Sequence, residues 1–151
     1  MQWKVRVEVP VRFTEDESKL LELLNRIVEP ERVFVEEEAS EKRLVAVSRC
    51  LSSLAKLRDL LRRERILDAA RKRMLSGASE ETLRVLIHKQ ALAGGRLSLV
   101  DHESESPLGA VRVVVYHERP LEVVDWLAPP TREGRPLWER ETPQPDCAPS
   151  F

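Results

Sequence analysis

The stretch Trp3-Lys4-Val5-Arg6-Val7-Glu8-Val9-Pro10-Val11-Arg12-Phe13-Thr14-Glu15-Asp16-Glu17 decides the fold class. Its odd positions from Trp3 to Phe13 are apolar, while the even ones are charged or proline, the period of a strand with one buried face. Pro10 has no amide to donate, which predicts an edge strand or a bulge at that point. Thr14 and Glu17 then stand at capping-box spacing, and Leu20, Leu21, Leu24, Ile27 and Val28 recur at helical intervals, so a helix is expected over about 15–28 until Pro30 stops it. A one-sided strand leading into an amphipathic helix calls for a sheet with helices laid on it.

The rest of the chain repeats that grammar. Residues 32–36 and 43–49 read as two short strands joined by the charged stretch 37–42. Residues 51–76 are helical, but their apolar stripe changes face: Leu54, Leu57, Leu60 and Leu61 lie on one side, and Ile66, Leu67, Ala70 and Met74 on another. The switch falls at Arg62-Arg63-Glu64-Arg65, which predicts a kink or a change of packing neighbour. Strands are expected at 82–88, 96–100 and 110–116, with a helical or looped connection at 90–95. Pro120 suits the first turn of a last helix whose apolar side is Leu121, Val124, Trp126 and Leu127, and Pro129-Pro130 ends it. The order predicts an α+β domain, a mostly antiparallel sheet with helices packed on one face, over residues 1–138. Six of the ten prolines lie in the last 23 residues, so 139–151 is expected to be a solvated, weakly ordered tail.

With 151 residues, 42% hydrophobic and 34% charged, the chain is long enough for one real core, and wholesale disorder is excluded. No apolar run approaches the roughly eighteen residues of a membrane span, and the N-terminus lacks the apolar core of a signal peptide, so a soluble cytoplasmic protein is expected. Cys50 and Cys147 are far apart and suggest neither a disulfide framework nor a zinc knuckle. Many Arg and Glu with few Asn and Gln fit a thermophilic source.

The net charge of −1 hides an asymmetry. Residues 14–42 carry 4 basic and 10 acidic side chains, and residues 51–76 carry 8 basic and 3 acidic. A basic helical segment in an otherwise slightly acidic chain is the pattern of a patch that meets an anionic partner, and it is also what an ion-paired surface helix looks like. No catalytic or metal-binding set assembles from His88, His102 and His117. Asp101-His102-Glu103 reads as a solvated loop, Cys50 as a small buried side chain, and Gly94-Gly95 as a turn too short to cradle phosphate.

Five stretches in order carry a resemblance: Phe13-Thr14-Glu15-Asp16; Leu60-Leu61-Arg62 with Arg65-Ile66-Leu67-Asp68-Ala69-Ala70-Arg71; Lys89-Gln90-Ala91; Ser106-Pro107-Leu108-Gly109; and Asp125-Trp126-Leu127-Ala128-Pro129 with Thr131 and Gly134. Over residues 3–135 they resemble an archaeal family of small proteins described as predicted RNA-binding, with a fold like that of ribosomal protein five of the large subunit. The resemblance implies RNA as partner and no cofactor or enzymatic activity. Read with the charge pattern, it nominates Arg62, Arg63, Arg65, Arg71, Lys72 and Arg73 as phosphate contacts, since guanidinium forks match phosphate oxygens. Lys89 and Gln90 would add specificity. Few aromatic residues lie near this segment, which favours backbone and shape recognition of structured RNA over base stacking. The competing reading is a protein-interaction module, such as a homodimer, whose charged faces pair with another chain.

Overall fold

A computed structural model of the chain describes residues 3–149. The alternating stretch forms β1 (Val5–Pro10), with Val5, Val7 and Val9 fully buried. The helix after it is α1 (Glu17–Asn25), and its cap is Asp16, whose carboxylate accepts the Ser18 amide at 2.9 Å. An aspartate one residue before the helix takes the role expected of Thr14. β2 (Arg32–Glu38) and β3 (Glu41–Ser48) form a hairpin closed by Ala39 and Ser40. The stretch read as a charged connection is therefore largely paired strand.

A short 3-10 turn (Leu51–Leu54) opens the basic segment, followed by α2 (Ala55–Arg63) and α3 (Leu67–Ser76). The helix breaks where the apolar stripe changes face, with Arg65 in the left-handed region at φ 56°. β4 (Thr82–His88) and β6 (Ala110–Tyr116) have the predicted bounds, whereas β5 is only Leu99–Val100. A one-turn helix, α4 (Lys89–Ala93), lies between β4 and β5, and α5 (Pro120–Leu127) buries Val123 where Leu121 was expected; Leu121 is exposed. The small hairpin of β7 (Thr131–Arg132) and β8 (Arg135–Pro136) had no sequence signal beyond its turn residues.

Six strands make one antiparallel sheet in the order β2-β3-β1-β6-β4-β5. Val7 and Val9, Leu44 and Ala46, Leu83 and Val85, and Val111 and Val113 face a single core shared with all the longer helices. The α+β architecture with helices on one face is as the pattern predicted. The edge position or bulge expected at Pro10 is corrected on both counts, because β1 is central and its register with β3 runs unbroken to Pro10↔Arg43. The Val11 amide donates to Lys42 at 2.7 Å, so odd residues of β1 bond to β3 and even ones turn toward β6. Pro10 faces the β6 side beyond Glu8↔Arg112, the last pair of that ladder, so its missing donor terminates the pairing and breaks nothing. Phe13, counted in the apolar alternation, lies past the strand and is fully exposed.

The cysteines are also corrected. Cys50 and Cys147, 97 residues apart, form a disulfide, a pairing that linear spacing could not reveal. Where prolines suggested a solvated tail, residues 139–149 strap one end of the molecule. Lys4 donates to the Pro145 carbonyl at 2.8 Å, the Asp146 carboxylate accepts the Ser52 amide at 2.9 Å, and the Ala148 amide donates to Arg49.

Candidate nucleic-acid interface

The basic segment is brought to the surface by α2, the break at 64–66, and α3, but its cations divide into two sets. The first set is used internally. Arg62 forms a two-pronged pair with Glu139 at 2.8 and 2.6 Å and also donates to the Leu127 carbonyl. Arg58 joins the same carboxylate, donates to the Trp126 carbonyl, and lies 5.9 Å from the centroid of the Trp126 ring, which is itself buried. These two guanidiniums hold the Glu139 carboxyl below the usual glutamate range, chiefly through the Arg62 hydrogen bonds. Arg71 bonds Asp125 at 2.8 Å and the Ala128 carbonyl at 3.0 Å. Arg62 and Arg71, both expected to contact phosphate, instead pin α2 and α3 to the C-terminal end of α5, where orphan carbonyls need donors.

Lys89 is corrected most sharply. Expected on a presented surface, it is 2% exposed. Its ammonium donates to the Pro10 and Leu108 carbonyls and to Glu15, each at 2.8 Å. Burial pulls its pKa down, and the Glu15 carboxylate works against that pull. Lys89 is a staple joining the end of β1, the approach to α1 and the loop before β6. Gly109 in that loop has φ 92°, and a Cβ there would meet Pro10 Cγ at 2.3 Å. The neighbouring Gln90 is exposed on α4, without a side-chain hydrogen bond among the described residues.

The second set is unpaired. Arg63, Arg65 and Lys72 are exposed and have no ion-pair or hydrogen-bond partner for their side chains among the described residues. Arg65 is thrown outward by the left-handed break, while Glu64 beside it turns inward to accept Arg96 Nε at 2.9 Å and the Leu97 amide at 3.1 Å. Those hydrogen bonds, Arg96 first, lower the Glu64 pKa. Lys72 stands on the wall of a cleft of about 500 Å³ between α3 and the β4–β5 edge, with Arg73, Arg84 and His102. Arg73 is 3.4 Å from the Asp101 carboxylate, and its Nε makes no hydrogen bond. Arg84 is exposed and unpaired; sequence reading missed it because an outward-facing arginine in an alternating strand looks like ordinary surface. At one side of the cleft α3 ends against β4. The Arg84 amide donates to the Gly77 carbonyl, and a Cβ on Gly77 would lie 2.1 Å from the Arg84 oxygen.

Had the basic segment been an ion-paired surface helix, the acidic residues 14–42 would have been its natural counterpart, but among the described residues the only ion pair between the two is Lys56 with Glu29, 3.8 Å apart. Those acidic residues find other partners: Glu36 takes Arg6, Glu17 takes Lys42, and Glu31 takes Arg49. The histidines serve local structure. His88 Nδ1 caps α4 by accepting the Ala91 amide, and buried His117 accepts the Arg119 amide at 2.9 Å. The Asp101 and His102 amides are both held by the Glu105 carboxylate.

Residues 4–117 match a family whose model is described as RNA binding, and this defines the class of protein. Within that class the chain belongs to the archaeal UPF0201 proteins. It is 46% identical to the UPF0201 protein of Aeropyrum pernix over 142 residues, covering 93% of this chain and 95% of the other. Against the UPF0201 protein of Saccharolobus solfataricus it is 44% identical over 140 residues, covering 93% and 97%. These relatives come from thermophilic archaea, in keeping with the composition. The fold matches the crystal structure of a UPF0201 protein from Methanococcus jannaschii with a TM-score of 0.75 at 23% identity, over 88% of this chain and 98% of that one. A DUF54 protein from Methanothermobacter thermautotrophicus gives a TM-score of 0.53 at 19% identity, over 80% and 91%.

Proposed function

We propose that this protein is a non-catalytic module that binds structured RNA through the cations its fold leaves unpaired: Arg63 and Arg65 at the α2–α3 corner, and Lys72 with Arg84 around the α3–β4 cleft, where Arg73, paired with Asp101, lines the same wall. The observation that carries the reading is the division of one basic segment into residues consumed by α5 and the strap and residues held out in water. An unpaired arginine gives up only water when it meets a phosphate, whereas Arg62 or Arg71 would also have to abandon a carboxylate and a carbonyl. Arg62, Arg71 and Lys89 therefore leave the contact set, and Arg84 enters it. Gln90 is accessible for a polar contact.

The test is fluorescence anisotropy against a structured ribosomal RNA fragment over a salt series. The triple variant Arg63→Ala, Arg65→Ala, Lys72→Ala should bind more weakly and lower the slope of log affinity against log salt by about 2 to 3, close to one unit per lost duplex phosphate contact. Arg71→Ala should lower the melting temperature and leave that slope unchanged. A folded triple variant that binds RNA with the parent's affinity and slope overturns the proposal.

A further inference from the structure

Strand β2 lies at one edge of the six-stranded sheet. Its inner side is fully paired with β3 from Arg32↔Val47 to Glu38↔Glu41. The parity of that pairing follows from β1. Val11 bonds Lys42, so even residues of β3 bond to β1 and odd ones to β2. On β2 this leaves Arg32, Phe34, Glu36 and Glu38 bonding inward, while the amides and carbonyls of Val33, Val35 and Glu37 point outward. Val35 is 43% exposed and Arg32, Glu37 and Glu38 are exposed as well.

We propose that this edge is a pairing surface for a second copy of the chain, joined antiparallel about a two-fold axis at Val35. A two-fold related strand pair is self-complementary only if each residue suits its mirror position. About Val35, Arg32 falls opposite Glu38 of the second copy, Phe34 opposite Glu36, Val33 opposite Glu37, and Val35 opposite itself. All seven residues of β2 then pair, no like charges face each other, and the outward donors and acceptors of Val33, Val35 and Glu37 are satisfied. The neighbouring allowed register, centred on Phe34, sets Glu31 against Glu37 and aims Arg32 at Glu36, which Arg6 already holds at 2.9 Å. Glu38 has no ion-pair partner among the described residues, so the Val35 register uses an unspent carboxylate. An exposed seven-residue edge is a template for strand addition unless blocked, and β2 contains no proline or bulge to block it. The pair would continue the sheet across twelve strands with the helices of both copies on one side.

The proposal is independent of RNA binding and is tested by sedimentation velocity from about 1 µM to about 1 mM, a range that covers weak to moderate dimers. The parent chain should show a monomer–dimer equilibrium. Val35→Pro removes an outward amide and leaves the β3 ladder intact, so it should remain folded by circular dichroism and become monomeric. Arg32→Glu and Glu38→Arg should each weaken self-association at least about tenfold by opposing like charges. Mixing these two variants should restore the dimer, because each then presents the charge the other needs. A parent that stays monomeric throughout, a Val35→Pro variant that still dimerises, or a mixture that fails to associate each overturns the proposal.

Discussion

Replacing Lys89 by methionine separates a staple from an RNA contact. Methionine nearly matches the volume of the lysine stem, so packing changes little, and what disappears is an ammonium shared by the Pro10 and Leu108 carbonyls and Glu15. The side chains of Lys89 and Glu15 are 3% and 14% exposed, so neither charge is open to bulk water in the folded chain. Removing one member of a buried pair leaves the other desolvated and uncompensated, at about 3 to 5 kcal/mol. The partial exposure of Glu15 places the expected loss near the lower end, about 3 kcal/mol. For a chain of this size each kcal/mol moves the midpoint by roughly 2–4 °C, which gives a fall of about 6–12 °C in a circular dichroism melt. Glu15→Gln, which keeps an acceptor for the ammonium, should lose less than half as much. RNA affinity measured well below the transition should be unchanged. A Lys89→Met variant that melts with the parent and binds RNA several-fold more weakly would show that Lys89 is a surface contact and that the buried arrangement is wrong.

Three further perturbations follow from the geometry. The Cys50–Cys147 bridge closes a loop of 97 residues, for which chain entropy assigns about 4.7 kcal/mol; Cys147→Ser should lower the non-reducing melt by roughly 9–19 °C, and equal melts would show that the bridge is not formed. Gly77→Ala drives a methyl into the Arg84 carbonyl, so the end of α3 must lift from β4, with an expected loss of about 2 kcal/mol on the overpacking scale and shifted amide resonances at Arg84; an unperturbed spectrum and melt refute the contact. Burial first, then the nearby Lys4 charge, depresses the His117 pKa below the ordinary histidine value of 6.5. His117 thus favours folding fully above that value, and its contribution is lost as pH falls through its lowered folded pKa. The Arg119 amide signal, which reports on the acceptor at His117 Nδ1, should move only below pH 6.5, and a titration at or above that value rejects the assignment.

Period and punctuation made most of the fold legible. Alternation located β1, β4 and β6 because each has one face on the core, and the phase slip in the leucine stripe located the α2–α3 break because the two helices bury different sides. What stayed hidden involved partners distant in sequence. Pro10 signals a missing donor, but whether that places β1 at the edge or ends one ladder depends on where β6 stops. Lys89 after a strand looks like a presented polar side chain, and only the convergence of Pro10, Leu108 and Glu15 makes it a buried staple. The disulfide and the strap are of the same kind: local composition made 139–151 look solvated, whereas Glu139, Asp146 and Cys147 each meet a group some eighty or more residues away.

The same long-range effect decides which positive charges can act. By sequence Arg62 and Arg63 are equivalent, adjacent guanidiniums on one helix. The rotation of about 100° between neighbouring helix residues aims Arg62 at α5 and Glu139, and Arg63 at water. A net charge summed over the segment therefore overstates its field, because Arg58, Arg62 and Arg71 are matched by carboxylates that come from α5 and the strap, outside the window in which the sum is taken. The strap consequently bears on binding indirectly. If Glu139 were replaced by glutamine, two guanidiniums would lose their counter-charge at the flank of the proposed interface, and nonspecific RNA affinity at low salt should rise while the melting temperature falls. The two readouts moving in opposite directions is a result that neither a purely structural arginine nor a purely RNA-binding one would produce.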